Sequence, residues 1–294
     1  MKPTRDEIAA QVVAALAEDL GTGDVSAALI DSRTRCRATL ITRQPGILAG
    51  RDWAEQAFVQ LDDQCRIDWQ AEDGEPVAAG QILSTIAGTA RAILTAERTA
   101  LNFLQLLSGI ATRTRAYVDA VADTGARILD TRKTLPGLRR AQKYAVTTGG
   151  GHNHRMGLHD MVMLKENHIA AAGSIGAAIA RARKDFPTLT IEVEVETLQQ
   201  LTEALAADAD RIMLDNFKLD DMARAVEINK GRSVLEASGG ITLESIRTVA
   251  MTGVDDISVG ELTKRIDPLD LSLRLVTLGS SAPEQLRTSQ NLKY

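Results

Sequence analysis

The chain has 294 residues, with 34 Lys and Arg against 39 Asp and Glu, giving a formal net charge of −5. That length supports one large domain or two ordinary ones with ample core, and 44% hydrophobic with 25% charged residues excludes a disordered chain. Only 3% of residues are aromatic, so neither a base-stacking platform nor, given the acidic balance, a basic face for duplex DNA is expected.

The first element reads as an amphipathic helix ending at Leu20, with Ile8, Val12, Val13 and Leu16 on one face and Gly21-Thr22-Gly23-Asp24 as its stop. No signal-peptide pattern precedes it, and no run approaches the ~18 apolar residues of a membrane span, so a cytoplasmic protein is expected. Cys36 to Ile41 and Cys65 to Gln70 read as strands; in the second, Cys65, Ile67 and Trp69 alternate with Arg66, Asp68 and Gln70. The two cysteines, Cys36 and Cys65, are expected to be free core thiols. Between these strands Trp53, Ala57, Phe58 and Leu61 mark a helix face. Turn signals at 72–77 and 79–81 frame short strands, and Arg91 to Ser108 is a strong helix with Leu94, Leu101, Leu104 and Leu107 as its seam.

From Arg127 the rhythm changes. Short apolar runs recur at Ile128-Leu129-Asp130, Val162 to Lys165, Ile191 to Glu194, Ile212 to Asp215, Val234 to Glu236 and Ile257 to Gly260, each followed by a helical stretch. The last four start at 191, 212, 234 and 257, the spacing of a strand plus a crossover helix, which implies a parallel sheet. No Gly-x-Gly-x-x-Gly opens any unit, so a barrel is expected rather than a dinucleotide-binding sheet. Only six such strands are evident, so the barrel is expected to be open or incomplete. Such folds place their chemistry at the C-terminal ends of the strands.

All four histidines, His152, His154, His159 and His168, fall between 152 and 168. From Asp130 to His168 seven basic side chains stand against three acidic ones, so this segment carries +4 and the rest of the chain −9. A basic segment on the ligand face predicts an anionic substrate. Three readings compete: a metal site of His152, His154 and His159, disfavoured by Arg155 and the glycine-rich approach; Schiff-base chemistry at Lys165; and anion recognition by fixed Arg and Lys charges with His154 as donor. Glu194 and Asp215 close successive strands, so both carboxylates are expected at one mouth, where they can hold Mg²⁺ or sugar hydroxyls. Ser238-Gly239-Gly240 and Val259-Gly260-Glu261 then occupy equivalent strand-to-helix turns, where glycines let backbone N–H groups approach a phosphate.

Several long motifs carry a resemblance: Asp130 to Arg139, Lys143-Tyr144-Ala145-Val146, Gly149 to Leu158, Leu164 to Ile169, Glu97 to Asn102, Glu192 to Glu196, Leu214-Asp215-Asn216 and Glu236 to Gly240. In order and spacing, from Glu18 to Leu262, they closely resemble the quinolinate phosphoribosyltransferase family. The resemblance implies an α/β fold of the type II phosphoribosyltransferase kind: an N-terminal α/β sandwich, residues 1–108 completed by the segment 270–294, packed on an open α/β barrel, residues 109–269. It implies transfer from phosphoribosyl pyrophosphate to quinolinate, giving nicotinate mononucleotide, pyrophosphate and CO₂ with Mg²⁺, in de novo NAD synthesis. It implies at least a homodimer, with Arg98 matching an arginine donated across the interface. Arg132, His154, Arg155 and Lys165 match groups that bind the quinolinate carboxylates, and Lys133 a residue near the pyrophosphate. Glu194 and Asp215 match the carboxylates around ribose and metal, and Ser238, Gly239 and Gly260 the 5′-phosphate cradle. His152, His159 and Glu166 depart from the family's usual residues, and none is a matched binding position. The rivals are a relative associated with molybdate transport, a Lys165 aldolase and a non-enzymatic phosphosugar-binding regulator.

Overall fold

The computed structural model describes residues 2–277. The first helix, α1 (Arg5–Leu20), begins in a capping box: the Glu7 N–H donates to Thr4 Oγ1, and the Thr4 N–H donates to Glu7 Oε2. Such a cap is worth about 1 kcal/mol. Ile8, Val12 and Leu16 are buried on it. Val13 is not, with 52% of its surface exposed, because spacing by four defines the buried stripe and Val13 lies about 100° from Val12.

A four-stranded antiparallel sheet follows. Its members are β1 (Arg35–Thr42), β3 (Arg66–Trp69), β5 (Ile82–Thr89) and β12 (Leu271–Thr277), in the order β12-β1-β5-β3. The two short strands β2 (Gly46–Ile47) and β4 (Pro76–Val77) pair beside it. The C-terminal segment expected to return to this layer does so: β12 pairs antiparallel with β1, Leu271 opposite Thr42 and Leu273 opposite Leu40. The remainder of that expectation, residues 278–294, lies outside the described residues. Cys36 and Cys65 are buried free thiols. Helices α2 (Arg51–Val59) and α3 (Ala90–Ala120) pack together, with Trp53, Ala57, Leu104 and Leu107 fully buried.

The strong helix expected to end at Ser108 continues to Ala120 as one 31-residue element, so the boundary expected at 108/109 falls inside it. Gly109 does not break the helix. It permits close approach, since a Cβ there would lie 2.2 Å from the Asp267 carbonyl oxygen.

All six expected parallel strands are present: β6 (Arg127–Leu129), β7 (Val162–Leu164), β8 (Ile191–Val195), β9 (Arg211–Asp215), β10 (Val234–Ser238) and β11 (Asp256–Ser258). They form one sheet in the order β6-β11-β10-β9-β8-β7. β6 and β7 are its two edges and do not pair with each other among the described residues, so the barrel is open. Helices α4 (Arg139–Thr148), α5 (Glu166–Ala172), α6 (Ile175–Asp185), α7 (Leu198–Ala206), α8 (Leu219–Asn229), α9 (Ile246–Ala250) and α10 (Glu261–Lys264) connect or follow the strands. The two layers meet at α4, where the Tyr144 ring lies 5.4 Å from that of Trp53 and its hydroxyl donates to Asp73.

Candidate active site

Strand alternation builds the site. On β8 Ile191, Val193 and Val195 join the hydrophobic core, leaving Glu192 and Glu194 on the other face. On β9 Ile212 and Leu214 are core, leaving Arg211, Met213 and Asp215; on β10 Leu235 and Ala237 are core, leaving Glu236 and Ser238. The second set points into the open barrel. There a cavity of about 350 Å³ is lined by Arg132, Lys133, His154, Arg155, Lys165, Glu194, Asp215 and Ser238, together with Thr131, Met163, Met213, Glu236 and Ser258. An adjoining cavity of about 630 Å³ shares Thr131, Lys133, Asp215, Ser238 and Ser258 and adds Gly239, Gly240, Gly260 and Lys264. Every site residue expected from the sequence lines one of these two cavities except Arg98. That residue is exposed on α3, in a separate cavity of about 520 Å³ with Gln11, Glu18, Asp19, Asn102 and Gly137.

The cationic side of the cleft is held from behind. Lys143 on α4 is fully buried, and its Nζ donates to Asp130 Oδ1 at 2.5 Å, to the His154 carbonyl at 2.8 Å and to the Arg155 carbonyl at 3.0 Å. Asp130, also fully buried, accepts the His154 N–H at 2.9 Å and the Asn153 amide at 2.6 Å. One buried ion pair thus fixes the His154 N–H and the His154 and Arg155 carbonyls. Burial pushes the Asp130 carboxyl up and the Lys143 ammonium down, against their mutual attraction. Arg132 Nε is buried with no hydrogen-bond partner among the described residues, a donor left for a ligand. Burial, then the neighbouring Arg132, lowers the Arg155 guanidinium.

On the acidic side, Lys165 Nζ pairs with Glu194. Its backbone N–H donates to His168 Nδ1 at 3.1 Å, which anchors Lys165 at the start of α5. Burial first, and then the Glu194 charge, push the Asp215 carboxyl above its ordinary value. At the end of β10 the chain turns through Gly239 and Gly240 with φ of +108° and +57°. A Cβ on Gly239 would lie 2.2 Å from Asn216 Oδ1, so that turn requires glycine.

His154 is buried, whereas His152 and His159 are exposed. The three-histidine metal reading therefore does not fit this arrangement. His154 Nε2 lies 2.9 Å from Glu192 Oε2 and 3.3 Å from Glu236 Oε2, with directions that miss hydrogen-bond alignment. Its Nδ1 accepts the Arg155 N–H at 2.7 Å. Burial alone would lower the imidazolium, but the two carboxylates overcome it and push His154 up to about 9. Among the described residues this is the one set of three donors close enough together for a metal ion. Arg211, however, already donates into the site, 3.4 Å from Glu192 Oε1 and 2.8 Å from Glu236 Oε2. A second cation there would face the guanidinium, so these groups form a charge network.

Sequence reasoning counted Asp130 and Lys143 only as charges in a basic segment and did not single out Glu192, Arg211, Glu236, Asn216 or Lys264. Signals existed for some of them. Lys143 stands among Ala141, Tyr144, Ala145 and Val146, all buried, and Glu192, Arg211 and Glu236 share the strand face of the expected site residues.

The sequence matches the quinolinate phosphoribosyl transferase N-terminal domain over residues 24–108 and the C-terminal domain over residues 110–274. It is 45% identical over 271 residues to a nicotinate-nucleotide pyrophosphorylase [carboxylating] of Mycobacterium leprae, covering 89% of this chain and 94% of that protein. It is 40% identical over 284 residues to a mitochondrial quinolinate phosphoribosyltransferase [decarboxylating] of Nicotiana tabacum, covering 90% of this chain and 80% of that one. The fold superposes on the nicotinate-nucleotide pyrophosphorylase structure from Francisella tularensis with a TM-score of 0.92, at 46% identity and covering 94% and 98% of the two chains. The chain belongs to the quinolinate phosphoribosyltransferase family.

Proposed function

We propose that this protein transfers the phosphoribosyl group of phosphoribosyl pyrophosphate to the ring nitrogen of quinolinate, releasing pyrophosphate and CO₂ and forming nicotinate mononucleotide for NAD synthesis. The carrying observation is one cleft in which Arg132, Arg155 and Lys165 stand beside Glu194 and Asp215 and adjoin the Gly239 and Gly260 turns. The unpartnered Arg132 Nε suits a substrate carboxylate, which a guanidinium binds with two parallel bonds.

The chemistry requires no side-chain nucleophile. Quinolinate supplies the attacking nitrogen while the anomeric bond to pyrophosphate breaks, and positive charge develops on the sugar. Glu194 and Asp215 stabilise that charge, and Lys133 faces the leaving group. The cationic wall offsets repulsion between two polyanions, so their approach becomes a matter of position. Once the ring nitrogen is quaternary, the ring can take the electrons released as the adjacent carboxylate leaves as CO₂. Burial, and after it the Glu194 charge, raise the Asp215 carboxyl, and the hard oxygens of these two side chains suit Mg²⁺. Glu194 and Asp215 would hold it, and when bound it neutralises charge on pyrophosphate oxygens. Lys165, paired with Glu194, serves as a fixed charge rather than a Schiff-base amine.

Arg98 serves a neighbouring copy in a homodimer or larger assembly. Its place in a separate cavity on the α1 and α3 face supports this. The phosphorylated, water-soluble substrates support a cytoplasmic site of action, and among the described residues no helix is long and apolar enough to cross a membrane.

The test is incubation with quinolinate, phosphoribosyl pyrophosphate and Mg²⁺, following nicotinate mononucleotide and CO₂. Equal amounts of both are expected, with nicotinate a poor substitute because it lacks the second carboxylate. Nicotinate used as well as quinolinate, or no CO₂, would overturn the assignment.

A further inference from the structure

Two parts of the cleft wall are tied together behind its lining. β6 and β11 are neighbours in the sheet, with Leu129 opposite Ser258, so the loop that carries Arg132 and Lys133 and the turn at Gly260 leave adjacent strands. The two touch at the front: a Cβ on Gly260 would lie 3.1 Å from Lys133 Cδ and 3.7 Å from Thr131 Oγ1. Behind them sit two fully buried polar side chains, Gln142 of α4 and Thr263 of α10. Thr263 Oγ1 donates to the Lys133 carbonyl at 2.8 Å. Gln142 Nε2 donates to the Thr263 carbonyl at 3.1 Å, and its Oε1 accepts the Leu135 N–H at 2.7 Å. Loop, helix and amide thus close a ring of three hydrogen bonds. The turn is anchored from its far side as well: Glu261, next to Gly260, accepts the Tyr117 hydroxyl at 2.9 Å and Arg113 Nη1 at 3.1 Å, both from α3.

We propose that Gln142 and Thr263 are positioning residues that set the separation between the Lys133 segment and the Gly260 turn, so that both phosphate-bearing ends of phosphoribosyl pyrophosphate are held at once. The inference rests on the reading above, with Lys133 at the pyrophosphate and the Gly260 turn at the 5′-phosphate. Neither side chain lines either cavity of the site, so each acts through the backbone it holds. An apolar side chain would fill either position, and a buried amide or hydroxyl is costly unless bonded. What the bonds add is position, because a satisfied buried network holds its members in one arrangement. The ligand needs that. Its two ends are joined through one sugar ring, so binding one end presents the other at a fixed place. The second contact is strengthened by this only if the protein's groups stand at the matching separation. A loosened loop would leave each group able to hold its own end and poorly able to hold both together.

The experiment is calorimetry of the full-length protein in Mg²⁺ with three ligands: phosphoribosyl pyrophosphate, inorganic pyrophosphate and ribose 5-phosphate. Thr263→Val removes one hydroxyl at nearly constant volume, and Gln142→Met removes the amide. Each variant should weaken phosphoribosyl pyrophosphate about tenfold, the scale of one lost hydrogen bond. Each should change the Kd of pyrophosphate and of ribose 5-phosphate by less than about twofold, since the groups that meet each end are intact. Thr263→Ser keeps the hydroxyl and should bind all three ligands as the native protein does. An unchanged Kd for phosphoribosyl pyrophosphate in Thr263→Val overturns the proposal. So does an equal loss for all three ligands, the mark of a damaged site, or a Thr263→Ser protein as weak as Thr263→Val. Should Gln142→Met not fold, the Val and Ser variants of Thr263 decide the matter. If the native protein binds phosphoribosyl pyrophosphate but forms no nicotinate mononucleotide from quinolinate, the quinolinate reading fails, while the comparison of the three ligands still judges the positioning.

Discussion

Lys143→Met tests how the binding segment is held. The substitution nearly conserves volume but removes a buried ammonium with three acceptors, Asp130, the His154 carbonyl and the Arg155 carbonyl. Asp130 is 0% exposed, so its carboxylate would be left without a counter-charge, a loss of about 3–5 kcal/mol. A folded protein of this kind has about 5–15 kcal/mol in all, so the variant should be severely weakened. The pair is not itself a strong source of stability, because burial pushes both groups toward neutrality. Asp130→Asn combined with Lys143→Met should therefore lose less than the sum of the two single variants. The amide oxygen introduced by Asp130→Asn can still accept the His154 N–H, while the Asn153 amide loses one of its two acceptors and keeps the Lys143 carbonyl; the two carbonyls left short of a donor cost about 1–3 kcal/mol each where fully buried. The coupling should be about 1–3 kcal/mol. Urea midpoints for the four proteins measure it, and KM for quinolinate in the double variant reports the loosened 153–155 segment. Additive losses, or a Lys143→Met loss below about 1 kcal/mol, would refute the reasoning.

Arg132→Ala should raise KM for quinolinate strongly or abolish turnover, while leaving the urea midpoint nearly unchanged, since its Nε has no internal partner among the described residues. Gly239→Ala should impair use of phosphoribosyl pyrophosphate, because φ at +108° and the 2.2 Å approach to Asn216 both resist a side chain; steady-state kinetics on that substrate measure it. Asp215→Asn should abolish turnover yet raise the melting temperature slightly, since the Glu194 charge contributes to holding the Asp215 carboxyl up. The His154 imidazolium is raised from 6.5 to about 9 in the folded protein, so its stabilisation is fully present below about pH 6.5 and is lost as pH rises toward 9. The unfolding free energy from urea titrations should fall across that window by up to ~3 kcal/mol, and His154→Gln should flatten the decline.

The barrel was legible because short apolar runs were each followed by a helical stretch, the last four at near-constant spacing, and all six runs named became strands. The N-terminal sheet was legible in part. Cys36 to Ile41 showed as a strand, whereas β2 and β4, each two residues long, are too short to leave a period. The end of α3 was not legible, because the approach of Asp267 to Gly109 comes from a residue 158 positions away. Among the site residues, those on strand ends were visible from spacing, and the fixed cations from the basic segment. The supports were not. That Lys143 enters the protein depends on Asp130 waiting there, and that Glu236 faces His154 depends on strand order, in which β10 and β8 flank β9.

That strand order also accounts for a polar interior in a barrel of this size. A closed eight-stranded barrel fills its centre with branched apolar side chains in layers. Here β6 and β7 do not pair with each other among the described residues, so the interior is open to water and ligand at the mouth, and apolar layers would be exposed there. The chain instead stacks charges by height. At the floor, Arg127 and Arg211 pair with Glu192, Glu236 and Asp256, and His154 Nε2 faces both glutamates. One step up the same strands, Glu194, Asp215 and Ser238 line the cleft with Lys133 and Lys165. The i, i+2 spacing that links Glu192 to Glu194 and Glu236 to Ser238 thus joins a structural charge to a cleft-lining side chain on each strand. A shift of register in β8 or β10 would misplace both members of its pair, so the network that replaces an apolar core also fixes the geometry of the site above it.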